Sequence, residues 1–409
     1  MNSFTFYMPT EILFGRGAEE KTASAVQKHG GRRVLIVFGG GSVKKSGLLD
    51  RVERGLETAG VLFAEFGGAQ PNPLLSHARD GVRAAAKFGA DFILAIGGGS
   101  AIDTAKAIAH GAANLDIDLW DFWSGKRPVE RSLPVGVVLT IAAAGSETSN
   151  SAVLTNEETG KKCGVNTEFN RPAFAIMNPE LTYTLPRQQL ACGIADIMMH
   201  TLDRYFTHET GNSFTDRVAE ALLKNVVRYA KVAMTNHRDY EAMSELMWCG
   251  SVSHSGFTSL GRTMDFGVHK LAHELSGRFD VTHGAALTAM WGAWARYVYG
   301  DAPERFAQYA ENVWDICTME ERARAGIRET EDFWRGLGLP LSLGELGIGV
   351  QDEEELAYLA DMCTDRGNKT VGVFHPIDRE TALAIYRLAT EEVPSCLHVI
   401  WRRGRCAWP

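Results

Sequence analysis

The residues with the clearest chemical potential are three histidines in Asp265–Gly284, D-F-G-V-H-K-L-A-H-E-L-S-G-R-F-D-V-T-H-G. His269 and His273 stand four apart among apolar residues at helical spacing (Val268, Leu271, Ala272, Leu275), so both lie on one helix face. Gly277 is expected to end that helix, Asp280–Thr282 to lead out of a turn, and His283 to stand where the next apolar run, Ala285–Trp294, begins. Upstream, in C-G-I-A-D-I-M-M-H-T-L-D, Asp196 and His200 repeat the four-residue spacing on a second helix. Helix-surface or hydrogen-bonded histidines would explain either pair alone. Imidazoles that converge on one point, with a carboxylate beside them, point to a metal.

A second signal is glycine. Arg33–Phe38 (R-V-L-I-V-F) runs directly into Gly39-Gly40-Gly41-Ser42, and Asp91–Ile96 (D-F-I-L-A-I) into Gly97-Gly98-Gly99-Ser100. Continuous apolar runs of this kind are strands buried on both faces of a parallel sheet. A glycine turn leading into a helix N-terminus lets backbone N–H groups approach a pyrophosphate, because a Cβ would hold the phosphate away. Neither turn is the G-x-G-x-x-G fingerprint, and a tight strand-to-helix turn accounts for one of them. Two in one sheet point to a dinucleotide.

The elements that would position these groups alternate through the first half. Strands are expected at Phe4–Phe6, Glu11–Phe14, Arg33–Phe38, Val61–Phe66, Asp91–Ile96 and, last, Val135–Thr140. Helices are expected at Ala18–Lys28, Leu48–Ala59, Leu75–Phe88 and Ala101–Ala112. That alternation predicts a parallel α/β sheet with its binding crevice at the strand C-termini. From about residue 186 amphipathic patterns take over, including Gln188–Phe206, Phe214–Met234, Tyr240–Val252, Val268–Leu275 and Ala285–Tyr297. The chain therefore reads as an α/β dinucleotide-binding domain over 1–185 and an all-helical metal-binding domain over 186–409, with the reaction in the cleft between them. The closing W-R-R-G-R-C-A-W-P is expected to be a disordered or lightly packed tail.

At 409 residues the chain has room for two cores. A net charge of −8 argues against nucleic acid or an anionic membrane as partner. Seven cysteines without a C-x-x-C pair fit a reducing compartment. The N-terminus lacks the features of a signal peptide, and the longest apolar run, Pro134–Gly145, is too short to span a bilayer. A cytoplasmic protein is expected.

Along nearly its full length the chain resembles the iron-containing (group III) alcohol dehydrogenases, in particular the butanol-dehydrogenase-like branch that uses NADPH on aldehydes. The resemblance is carried by F-T-F-Y-M-P-T-E-I-L-F-G, F-G-G-G-S-V-K-K-S-G, P-N-P, G-G-G-S-A-I-D-T-A-K, G-S-E-T-S and T-Y-T-L-P. G-I-A-D-I-M-M-H and G-V-H-K-L-A-H-E-L-S-G-R-F-D-V-T-H-G are its most specific parts. It implies a dehydroquinate-synthase-like architecture and a homodimer. Asp196, His200, His269 and His283 would be the metal ligands, with His273 lining the active site as a catalytic group. The cofactor would rest on Gly39, Gly40, Ser42, Asn72, Gly97, Gly98, Gly99, Ser100, Asp103, Thr140, Ser149, Lys162 and Leu181. Where NAD-using relatives place an aspartate after the first long strand, this chain has Gly39, with Lys44 and Lys45 close behind. NADP is therefore expected over NAD. Ala144 and Ala142 stand where the family has threonine and proline, so the corresponding cofactor contact is not implied here.

One carboxylate and three imidazoles leave an open position on Fe2+ or Zn2+ for a substrate oxygen, which suits hydride exchange between a nicotinamide and an alcohol or aldehyde. His273 would pass a proton to solvent. Phe257, Met264, Phe266 and Trp291 suggest an apolar substrate. A dehydroquinate-synthase-like lyase or a glycerol-dehydrogenase-like enzyme is the alternative on the same fold. The lyase would need cations around the metal, where the sequence offers only Lys270 and Arg278. A metallohydrolase would need H-E-x-x-H, which is absent.

Overall fold

The computed structural model describes residues 1–317 and 321–393, so the Trp-rich closing segment lies outside the described residues. The chain divides into two compact units: Phe6–Leu185 with Asn236–Gly256, and Met1–Thr5 with Pro186–Thr235 and the described residues from Phe257 onward. A single cut at residue 186 would separate the two except for Met1–Thr5 and Asn236–Gly256, which cross it.

The first unit is built on eight strands: β1 (Glu11–Phe14), β2 (Arg33–Phe38), β3 (Leu62–Phe66), β4 (Phe92–Gly97), β5 (Val135–Leu139), β6 (Ser151–Asn156), β7 (Lys161–Asn166) and β8 (Phe174–Met177). Six form a parallel sheet in the order β1-β8-β5-β4-β2-β3, while β6 and β7 form a separate antiparallel hairpin. Val34–Val37 and Phe92–Ile96 are buried throughout, as runs covered on both faces must be, each large side chain contributing about 1.5–3 kcal/mol. Two features of this unit differ from the sequence reading. Phe4–Phe6 is not a strand: residues 1–10 carry no regular secondary structure, and Phe4 and Phe6 are exposed. Val135–Leu139 is not the last strand. β8 has only four residues, yet it fills the gap between β1 and β5, with Glu11 opposite Phe174 and Gly136 opposite Phe174 on its other side.

The second unit is helical. Arg187–Tyr205, Gly267–Phe279 and His283–Val298 carry the candidate ligands. The first of them is buried from Leu190 to Tyr205, all round rather than along one stripe. Gly277 does not end the second helix. It runs on to Phe279 and stops at Asp280, which takes the left-handed conformation (φ 51°) that short polar side chains tolerate. Close packing brings the third helix against the first: a Cβ on Gly284 would lie 2.3 Å from the Cys192 carbonyl oxygen. Among the described residues no helix is long and apolar enough to cross a membrane.

Candidate metal centre and nucleotide cradle

In the helical unit, ligand atoms of Asp196, His200 and His269 all lie within 4.8 Å of one another, and all three residues are buried. Asp196 Oδ1 is 3.3 Å from His200 Nδ1, 3.9 Å from His269 Nε2 and 3.9 Å from His283 Nε2. His283 thus reaches the same carboxylate from the start of the third helix, outside the tightest trio. His273 stands off, its ring centre 5.4 Å from that of His283 and 6.4 Å from that of His269. His269 Nε2 is buried without a hydrogen-bond partner, and an N/O donor set of this kind fits a divalent ion.

Asp203 is a group that the sequence reading missed. Seven residues after Asp196 it falls on the same helix face, is 1% exposed, and its Oδ2 accepts a hydrogen bond from His269 Nδ1 at 2.5 Å. The spacing i, i+4, i+7 from Asp196 through His200 to Asp203 was the available signal. Of the aromatic residues expected near the ligands, Phe266 lies beside the cluster, 5.2 Å from His269 and over Arg204. Trp291 does not: it is core, packed edge-on against Trp334.

In the α/β unit the pairing of Phe38 with Ile96 sets the two glycine turns side by side at the carboxyl edge of β2 and β4. The chain leaves β2 for β3 on one side and returns to β4 on the other, so the turns sit at a topological switch point. Thr140 follows β5 on the same edge and donates its N–H to the Gly97 carbonyl (3.1 Å); Leu181 lies in the turn after β8. Some of these glycines answer to packing. A Cβ on Gly98 would come within 2.1 Å of Ile141 Cγ2, and one on Gly97 within 2.7 Å of Ala101 Cβ. A Cβ on Gly40 would meet nothing within 4 Å, so packing does not demand that glycine. The helix Gly99–Ala113 starts at the second turn, carrying Ser100 and Asp103, and turns its first N–H groups to that edge. Ser42 opens the short helix after the first turn and is exposed.

Lys162, on β7, donates to Asn72 Oδ1 at 2.8 Å, which joins two of the predicted cofactor residues. Asp103 and Ser149 are joined differently. Asp103 accepts from the Ser146 hydroxyl (2.6 Å) and the Val153 N–H (2.9 Å), and burial raises its pKa. The fully buried Lys106 donates to the Ser146 and Ser151 carbonyls at 2.7 and 2.8 Å and lies 3.5 Å from Ser149 Oγ. Burial pulls its ammonium down to about 8. The sequence reading passed over Lys106, which fixes the shape of the G-S-E-T-S-N loop.

A metal-fitting N/O cluster on helices and a phosphate-fitting switch point on a parallel sheet are the features expected of a metal-dependent nicotinamide oxidoreductase. Residues 9–179 match the family model for iron-containing alcohol dehydrogenase, and residues 190–390 that for the C-terminal part of the Fe-containing alcohol dehydrogenase family. NADH-dependent butanol dehydrogenase A of Clostridium acetobutylicum is 37% identical over 391 residues, which covers 95% of this chain and 99% of that protein. The NADPH-dependent aldehyde reductase YqhD of Escherichia coli is 34% identical over 394 residues, covering 95% and 100%. Among solved structures, NADH-dependent butanol dehydrogenase A of Thermotoga maritima superposes with a TM-score of 0.91 at 33% identity, covering 96% of this chain and 99% of that one. The chain belongs to the iron-containing alcohol dehydrogenase family and is an NAD(P)-dependent oxidoreductase that interconverts alcohols and aldehydes. The lyase alternative finds no support in its cations: Arg278 is paired with Glu355, and Lys270 is exposed.

Proposed function

We propose that this enzyme acts chiefly as an NADPH-linked reductase of small to medium apolar aldehydes. The observation that carries the reading is the convergence of Asp196, His200 and His269 within 4.8 Å, with His283 3.9 Å from the same carboxylate. These four residues would hold the divalent ion, Fe2+ or Zn2+. When bound, the ion supplies a Lewis acid for the substrate oxygen and the nicotinamide supplies the hydride. Phe266, 5.2 Å from His269, would give the substrate an apolar wall on one side. His273, its ring centre 5.4 Å from that of His283, would exchange a proton with the substrate oxygen or carry one to solvent. Gly39, Gly40, Ser42, Asn72, Gly97, Gly98, Gly99, Ser100, Asp103, Thr140, Ser149, Lys162 and Leu181 would form the nucleotide site. Ser100 would face the pyrophosphate at a helix N-terminus, and Lys106 would hold Asp103 and Ser149 in place. A cytoplasmic homodimer completes the reading, on the family resemblance.

The test is a panel of aliphatic aldehydes assayed with NADPH and with NADH, using metal-stripped protein reloaded with Fe2+ or Zn2+. Fastest NADPH oxidation with an aliphatic aldehyde, lost on stripping and regained on reloading, is expected. Turnover that survives stripping, or an equal rate with NADH, would overturn the proposal.

A further inference from the structure

We propose that Asp203 is a positioning residue that sets His269 up for the metal, which deepens the reading of Asp196, His200, His269 and His283 as ligands and rests on it. Three observations converge. The Asp203 carboxylate accepts a hydrogen bond from the His269 Nδ1–H at 2.5 Å, and at 1% exposure it is shielded from solvent. An imidazole whose Nδ1 carries the proton presents a bare lone pair at Nε2. That atom is the one facing Asp196, at 3.9 Å, buried and with no hydrogen-bond partner.

The second contact runs through the backbone. The Asp203 carbonyl accepts the Asp265 N–H at 2.8 Å. Asp265 in turn accepts from the Gly267, Val373 and Phe374 N–H groups at 2.9, 2.6 and 2.8 Å. The first turn of the Gly267–Phe279 helix is therefore tied to Asp203 twice, once through His269 and once through Asp265. A carboxylate on the outer nitrogen of a ligating histidine fixes tautomer and ring orientation, and losing such a partner costs about 10–100-fold in metal affinity.

The experiment measures Zn2+ affinity by competition with a chromophoric chelator, in the parent, Asp203→Asn, Asp203→Leu, Asp203→Glu and His269→Ala. Imidazole 15N shifts are recorded on the metal-free proteins. Asp203→Leu is expected to bind Zn2+ about 10–100-fold more weakly and to lose the Nδ1–H signature of His269, with far-UV dichroism unchanged. Asp203→Asn, which keeps an acceptor but no charge, should fall between Leu and parent, and Asp203→Glu should recover part of the loss. Parental affinity in both Asn and Leu variants, with His269→Ala impaired, would overturn the positioning role alone. Parental affinity in His269→Ala would instead overturn the ligand assignment beneath it. Should Asp203→Leu fail to fold, the Asn variant and the 15N spectrum of the parent decide the matter.

Discussion

The Ser251 hydroxyl donates a 2.5 Å hydrogen bond to Glu147, a carboxylate buried inside the α/β unit. Thr148 returns the contact through its hydroxyl to the Ser251 carbonyl (2.9 Å), and His254 Nδ1 meets the Ala144 carbonyl (2.5 Å). These bonds fasten the helix Tyr240–His254 to the G-S-E-T-S loop, which is why Asn236–Gly256 groups with the sheet. Ser251→Ala would deprive a buried carboxyl of its hydroxyl donor, which costs about 1–3 kcal/mol. A lower calorimetric Tm is expected, and a milder loss in Glu147→Gln. An unchanged Tm in Ser251→Ala would show the bond to be dispensable.

What the sequence made legible follows from the range of the forces involved. Asp196 with His200, and His269 with His273, could be read because a helix repeats within four residues. The glycine turns could be read because each follows a continuous apolar run. Phe174–Met177 could not: four residues become a strand only because β1 and β5 leave a slot for them. Lys161–Asn166 pairs as a hairpin although its residues are mostly polar or exposed. Tyr240–His254 reads like any helix of the second half, and only bonds about a hundred residues distant in sequence, such as Glu147 to Ser251 (separation 104), assign it to the first. Asp203, beside Arg204, looks like part of a solvated charged face until the fold buries both.

Loss of metal should separate the ligand set from His273. Alanine at Asp196, His200, His269 or His283 is expected to bring bound metal and turnover close to background while the helical dichroism stays parental. His273→Ala is expected to keep its metal and lose rate by roughly 10²–10⁴-fold, the range for a positioned proton carrier. Metal analysis of purified proteins gives the answer. Full occupancy and full rate in His283→Ala would break the assignment.

The two glycine turns should respond differently to a single methyl group. At Gly98 the new Cβ would meet Ile141 Cγ2 at 2.1 Å, where overpacking costs about 1–3 kcal/mol. At Gly40 it would meet nothing within 4 Å, so Gly40→Ala should melt close to the parent. Thermal melts measure the stability difference, and nucleotide titration should show weaker binding in both variants. Gly40→Ala with parental nucleotide affinity would remove that position from the cradle.

Acid stability should depend on His110. The ring is buried, with Nδ1 2.9 Å from Ser132 Oγ and Nε2 2.8 Å from Asn170 Oδ1. Burial pushes it down to about 4 from 6.5, with the Asn170 bond opposing. Between those values the unfolded chain binds the proton and the folded chain does not. Stability from this group is therefore full above about pH 6.5 and lost as the pH falls towards 4, by up to about 3 kcal/mol. Urea unfolding at pH 7 and pH 5 should show a smaller loss in His110→Gln than in the parent. Equal losses would assign the acid sensitivity elsewhere.

Cofactor choice is expected to turn on Gly39. A carboxylate at that place would accept both ribose hydroxyls and repel a 2′-phosphate. Glycine leaves the Ser42 hydroxyl and the backbone N–H groups of the turn as donors, and each charge-assisted contact to a phosphate is worth about 1.5–3 kcal/mol. Lys44 is engaged with Glu65 at 2.6 Å, but both side chains are exposed, so the ammonium can turn to a phosphate at little cost. Glu65 is the opposing influence, because it keeps a negative charge beside that lysine. Gly39→Asp fits with a small shift, since its Cβ would come 3.3 Å from the Ala69 carbonyl oxygen. The parent should favour NADPH by at least about tenfold in kcat/KM on one aldehyde. Gly39→Asp should move the preference towards NADH, and Glu65→Gln further towards NADPH. Equal efficiency with the two cofactors in the parent, or no shift in Gly39→Asp, would sink the argument.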